Sequence, residues 1–205
     1  DQAGFFCATS QDAATTLSLF CDAPAGGRKA SALFIVPEGA YMDEVEPGMR
    51  RAFDQYCNRL ARLSGVRIKT MPVFDDWQGI RDRHQQLAAA ELAQMHRAWF
   101  ADFGPLYRPK TREFIESGQI LGDGVIETGR ASCANQRKKL NGLLADLKAD
   151  AFLAPAAPGE APKGFASTGN PVMNVPWTHA GLPVVCLPMD KVRSGLPLGV
   201  QAAGR

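Results

Sequence analysis

Ala32-Leu33-Phe34-Ile35-Val36 is a short, unbroken apolar run closed by Pro37, and Val66-Arg67-Ile68-Lys69-Thr70-Met71 is an alternating run closed by Pro72. The first reads as a strand buried on both faces and the second as a further strand. Between them lies the clearest helix in the chain. Asp43, Glu44 and Glu46 precede Pro47, then Met49, Phe53, Tyr56, Leu60 and Leu63 recur at helical spacing, with Arg59 and Arg62 near the end and Gly65 as the stop. Acid before base and proline in the first turn fit the helix dipole and the capping preferences. Strand, helix and strand with short linkers make a βαβ unit, which predicts a parallel pair joined by a right-handed crossover.

Outward from this unit the pattern continues. Thr9-Ser10-Gln11-Asp12 sets a hydroxyl three residues before a carboxylate, a capping arrangement that predicts a helix to about Cys21, broken by Ala23-Pro24-Ala25-Gly26-Gly27. Helical patterning runs from Trp77 to about Phe103, from Thr111 to Ser117, and from about Asp123 to Lys148. Ala151-Phe152-Leu153-Ala154 is another short strand stopped by Pro155. A loop rich in proline and glycine follows to Asn170, and Pro183-Val184-Val185-Cys186-Leu187-Pro188 and Leu198-Gly199-Val200-Gln201 read as two strands around a turn. The expected architecture is α/β: a mixed, largely buried β-sheet flanked by α-helices, in one domain over residues 1–205.

Composition narrows the function. With 205 residues and 45% of them hydrophobic, the chain can bury a substantial core, which excludes disorder as its main state. Lys and Arg number 23 against 21 Asp and Glu, with no basic block, so no nucleic-acid partner is expected. No apolar run approaches the roughly 20 residues of a membrane span, and Asp1-Gln2-Ala3-Gly4 does not open a signal peptide, so neither membrane insertion nor secretion is expected. Five widely spaced cysteines without a CxxC pair argue against disulfides and zinc. They are expected to be small buried hydrophobes in a cytoplasmic protein.

Local chemistry gives no complete active site. His84 and His96 are twelve apart on one predicted helix, not the four apart of a metal helix, which favours solvated or capping roles. His179 lies in a predicted turn with no cysteine or carboxylate beside it in sequence. Asp75-Asp76 stands just ahead of a helix, where capping accounts for it. No serine occupies a G-x-S-x-G elbow, and Gly195-Leu196-Pro197-Leu198-Gly199 has the wrong spacing for a nucleotide loop. No metal or organic cofactor is expected.

The tail carries the most specific signal. Ser167-Thr168-Gly169-Asn170-Pro171-Val172-Met173-Asn174-Val175-Pro176-Trp177-Thr178-His179-Ala180-Gly181-Leu182-Pro183, followed by Gly195-Leu196-Pro197-Leu198-Gly199-Val200-Gln201, resembles the C-terminal part of the amidase signature family. Asp150-Ala151-Phe152-Leu153-Ala154-Pro155 is similar to that family's D-x-[LF]-L-x-P strand exit, with Ala154 where threonine is usual. Asp1 to Asp12 is similar to its D-T-x-G-x-x-A-R-[ST]-V-x-D segment, from which Gln2, Cys7, Ala8 and Ser10 depart.

The resemblance implies amide hydrolysis by a serine nucleophile assisted by a second serine and a lysine. Those three belong to a glycine- and serine-rich region with no counterpart in this chain, so no catalytic residue is assigned here. The implied role is the substrate-shaping half of an amidase that turns a carboxamide into acid and ammonia. Thr168, Gly169, Asn170, Asn174 and Trp177 are the candidate pocket residues, the turn supplying polar groups and the indole an aromatic face. The implied partners are a small amide substrate and the missing N-terminal half, with a homodimer also open. Two alternatives stand: the A subunit of a tRNA-dependent amidotransferase, from which Thr178-His179-Ala180-Gly181 departs where N-L-A-G is usual, and a non-catalytic α/β binding or interaction domain.

Overall fold

The computed structural model describes residues 3–21, 30–191 and 195–205. The expected break at Ala23 to Gly27 and the first two residues of the N-terminal motif lie outside the described residues. The chain forms β1 (Ala32–Glu38), α2 (Ala40–Asp43), α3 (Pro47–Leu60), β2 (Val66–Pro72), α4 (Trp77–Met95), α5 (Arg97–Phe103), α6 (Pro109–Gln119), α7 (Val125–Asp146), β3 (Ala151–Pro155), α8 (Val175–Ala180), β4 (Val184–Lys191) and β5 (Pro197–Ala203), preceded by α1 (Ser10–Leu17).

The strands make one five-stranded sheet in the order β2-β1-β3-β5-β4. β1 runs parallel to β2 from Ala32↔Val66 to Glu38↔Pro72, as the βαβ reading requires, and parallel to β3. β5 runs antiparallel to both β3 and β4, which makes the sheet mixed. β3 is buried along its whole length, whereas β2 alternates, its Arg67 and Lys69 exposed. Ile35, Phe53, Phe152, Leu140 and Leu144 are fully buried and join sheet and helices into one core.

Local chemistry accounts for most element boundaries. The Thr9 hydroxyl accepts from the Asp12 amide, which starts α1, although the helix stops at Leu17, short of Cys21. Asp76 Oδ1 accepts from the Gly79 amide and starts α4. α3 opens on Pro47 and buries Met49 and Phe53; Leu63 lies beyond its end and is exposed. The stretch expected as one helix from Trp77 to Phe103 is two, because His96 leaves helical geometry (φ −92°, ψ 4°) and hydrogen-bonds Tyr107 at 2.8 Å. α4 and α6 meet at Gly118, where a Cβ would overlap the Ala89 carbonyl and approach Ala93 Cβ to 2.9 Å.

Two expectations need correction. Residues 175–180 form a helix, α8, not a turn: Pro176 sits in its first turn and Gly181, at φ +60°, ends it. The cysteines are not buried: Cys7, Cys21 and Cys186 are exposed, and Cys57 and Cys133 half-buried. For Cys186 the reason is that β4, though apolar in sequence, is uncovered from Val184 to Pro188.

Candidate functional site

The tail folds around one backbone carbonyl. Gly169 takes φ +98°, and Asn170 Oδ1 accepts from the Val172 amide, starting a 3-10 turn over Pro171–Asn174. That turn aims the Met173 carbonyl into the core. Tyr41 Oη donates to it at 2.8 Å and Gln201 Nε2 at 2.9 Å, while Gln201 Nε2 also donates to the Pro155 carbonyl at 2.8 Å. Trp177 Nε1 in turn donates to Tyr41 Oη at 3.2 Å. Tyr41, Trp177 and Gln201 are all buried, so each polar atom in this web has lost water and needs its partner. Burial pushes the Tyr41 hydroxyl far above its ordinary range, so it remains a neutral donor.

The candidate pocket residues therefore separate into two layers. Thr168, Gly169 and Asn170 belong to an exposed stretch that extends from Glu160 to Pro171, and Asn174 is exposed beyond the buried Val172 and Met173. Trp177 is buried, 1% exposed, stacked on Phe152 with centroids 5.3 Å apart and edge-on to Phe74 and Tyr41. The indole offers no open face to a ligand in this chain. The aromatic cluster of Tyr41, Phe74, Trp77 and Phe152 closes round it.

A second cluster was invisible in sequence. His179, 2% exposed on α8, has Nε2 2.9 Å from Ser132 Oγ and Nδ1 3.4 Å from Cys133 Sγ, both on α7. Arg83 on α4 donates Nε–H to the same Ser132 oxygen at 2.9 Å and reaches Asp76 at 3.0 Å. The serine oxygen, accepting from Arg83, sends its own proton to His179 Nε2, which leaves Nδ1–H facing the cysteine sulfur. Burial first, then His84 and Arg83, lower the His179 pKa to about 4. Burial also raises the Cys133 thiol. Imidazole and thiol are thus both neutral, and a base of this strength draws little on a serine proton near neutral pH. The chain from Asp76 through Arg83 and Ser132 to His179 ties α4, α7 and α8 together. No local pattern signals it, since its members stand 46 and 47 residues apart.

Beside this cluster a groove of about 1,260 Å³ runs between α4, α7 and the end of α8, lined by His84, Leu87, Cys133, Asn141, Thr178 and His179 among others. Arg137 closes one side, donating to the Ala180 and Gly181 carbonyls at 2.8 and 2.6 Å and so capping α8. His96 caps α4 and Asp76 caps its other end, as the sequence suggested for both. Among the described residues no three His, Cys, Asp or Glu side chains converge to hold a metal ion, and no helix is long and apolar enough to cross a membrane.

No protein-family model matches the chain. It is 29% identical over 161 residues to the A subunit of the glutamyl-tRNA(Gln) amidotransferase of Novosphingobium aromaticivorans, a match covering 72% of this chain and 29% of that protein. Among solved structures, an amidase superposes with a TM-score of 0.75 at 22% identity over 87% of this chain and 42% of its own. A bacterial aryl acylamidase of the amidase signature family superposes with a TM-score of 0.65 at 14% identity, over 86% and 40%. The chain thus has the fold of part of an amidase signature enzyme. It spans under a third of the curated relative and about two fifths of each of these structures.

Proposed function

We propose that this chain is the substrate-shaping portion of an amidase that hydrolyses a carboxamide to a carboxylic acid and ammonia, with the nucleophilic serine and its serine and lysine partners outside these 205 residues. The observation that supports this reading is the Met173 carbonyl, held by Tyr41 and Gln201, in a tail whose Thr168, Gly169, Asn170 and Asn174 are exposed. Short polar side chains there suit a small amide, which both donates and accepts hydrogen bonds.

In this reading the chain positions the amide and the absent portion supplies the nucleophile, its base and the donors for the tetrahedral oxyanion. Reconstituted with a catalytic portion, Asn174→Ala should lower kcat/KM for a simple carboxamide by about 10-fold or more, the worth of one polar substrate contact, with melting unchanged. Unchanged kinetics in that variant would remove Asn174 from the site.

The curated relative favours a second reading, in which the amide is that of glutamine and the product ammonia passes to a tRNA-linked substrate. Ammonia released to solvent from glutamine and from simple amides alike supports the first reading. Release that requires a charged tRNA supports the second.

A further inference from the structure

Gln201 is a buried amide in an apolar strand. Leu198, Val200 and Ala203 share β5 with it and are buried, and Gln201 itself is 1% exposed. A primary amide in such a place costs stability unless its hydrogen bonds are made. Nε2 makes two, donating to the Pro155 carbonyl at 2.8 Å and to the Met173 carbonyl at 2.9 Å. Pro155 is the last residue of β3, and Met173 lies in the 3-10 turn Pro171–Asn174. Between these two elements, residues 156–170 form neither helix nor strand. One nitrogen therefore joins the two ends of a loop long enough to be uncommon in a compact domain without a function of its own. Near its start the loop is tied to the rest of the chain: the Ala156 amide donates to the Gly199 carbonyl at 2.9 Å, and the Pro158 carbonyl accepts from the Glu46 amide at 2.8 Å. Towards its end the bonds are local, from the Gly169 amide to Ser167 Oγ at 3.1 Å and from the Val172 amide to Asn170 Oδ1 at 3.0 Å. Tyr41 also donates to the Met173 carbonyl, from α2, whereas Gln201 joins that carbonyl to the end of β3.

We infer that Gln201 is the positioning residue of this loop: its amide fixes the gap between Pro155 and Met173, and so sets where Thr168, Gly169, Asn170 and the adjoining Asn174 stand before a ligand arrives. A loop left free must be ordered when a ligand binds, which lowers affinity, whereas a latched loop is ordered already by folding. The latch needs two N–H donors on one nitrogen at this reach. Glutamate in its place would be an acceptor facing two carbonyl oxygens, methionine has the reach and no donor, and asparagine has the donors on a stem one carbon shorter. The inference rests on the amidase reading for what the loop binds, and on the two hydrogen bonds for how the loop is held.

The test uses the 205-residue chain. Trypsin cleavage after Lys163, an exposed residue inside the loop, is followed by mass. The carbonyl carbon resonances of Pro155 and Met173 and the amide resonances of Thr168, Gly169 and Asn170 are followed by NMR. In Gln201→Met, under conditions where the chain is folded, cleavage after Lys163 should be faster by about 10-fold or more. Both carbonyl resonances should shift upfield, as they do when a hydrogen bond is lost, and the three amides should move towards their unstructured positions. Tyr41→Phe also removes a bond to the Met173 carbonyl but leaves the latch. It should lower the melting temperature and cleave after Lys163 at close to the parent rate. Where Gln201→Met does not fold, Gln201→Asn, which keeps an amide at the site, gives the same comparison.

Cleavage and resonances unchanged in the Gln201 variant overturn the inference. So does a Tyr41→Phe chain whose loop is cut as readily as that of the Gln201 variant, because core stability and not the latch then holds the loop. The amide site is read separately, through the kinetics of Asn174→Ala. Unchanged kinetics there, with a released loop in Gln201→Met, remove the amide site and leave the latch standing. A loop that stays closed in Gln201→Met removes the latch whatever the kinetics show.

Discussion

At the scale of single residues, the Met173 carbonyl and His179 decide most. Tyr41 gives its proton to that carbonyl and takes one from Trp177 Nε1, so Tyr41→Phe strands a buried indole N–H while Gln201 still holds the carbonyl. A loss of about 1–3 kcal/mol in urea unfolding is expected. Trp177→Ala removes a ring in contact with Phe152, Phe74 and Tyr41, and should cost about 3–5 kcal/mol in the same measurement. His179 adds a pH dependence. Its folded pKa, lowered from 6.5 to about 4, lies below its unfolded value, so the unfolded chain takes up the proton first as pH falls. Stability from this group is complete above pH 6.5, declines between 6.5 and about 4, and changes no further below that. The decline is on the order of 2–3 kcal/mol, and unfolding midpoints measured at pH 7 and pH 4.5 check it. His179→Gln should be less stable at pH 7 and should show a shallower decline.

At the scale of elements, helix ends and one close crossing carry the specificity. Asp76 caps α4 and also holds Arg83, so Asp76→Ala should destabilise by about 1 kcal/mol. Gly118 lets α6 lie directly on α4, and there even one methyl group meets backbone at Ala89. Gly118→Ala should therefore cost more than an exposed helical glycine would gain from alanine, about 1–3 kcal/mol, seen as a lower melting temperature. The boundaries that periodicity misplaced were those set by tertiary contact. His96 interrupts the α4–α5 stretch through Tyr107, and α8 is too short for periodicity to separate it from a turn.

At the scale of the whole molecule, the sheet is buried along β3 and exposed over Val184–Pro188 of β4. The 205-residue chain by itself is expected to release no ammonia from simple carboxamides above the uncatalysed rate, because the Ser-Ser-Lys region implied by the resemblance has no counterpart in it. Turnover by the purified chain, assayed for ammonia, would contradict this.

Neighbouring residues alone specify the βαβ unit, the strand-turn-strand tail, the caps at Thr9 and Asp76, and the resemblance to amidases. Each is written in neighbouring residues: apolar periodicity, a proline or glycine stop, a carboxylate three positions from an amide, an ordered motif. Tertiary structure alone decided that Trp177 packs in the core, that Ser132 and Cys133 meet His179, that Tyr41 and Gln201 converge on Met173, and that apolar β4 is exposed while equally apolar β3 is buried. The physical reason is common to all four. Burial and long-range hydrogen bonding depend on which element lies alongside, and a residue's own neighbours in sequence do not specify that.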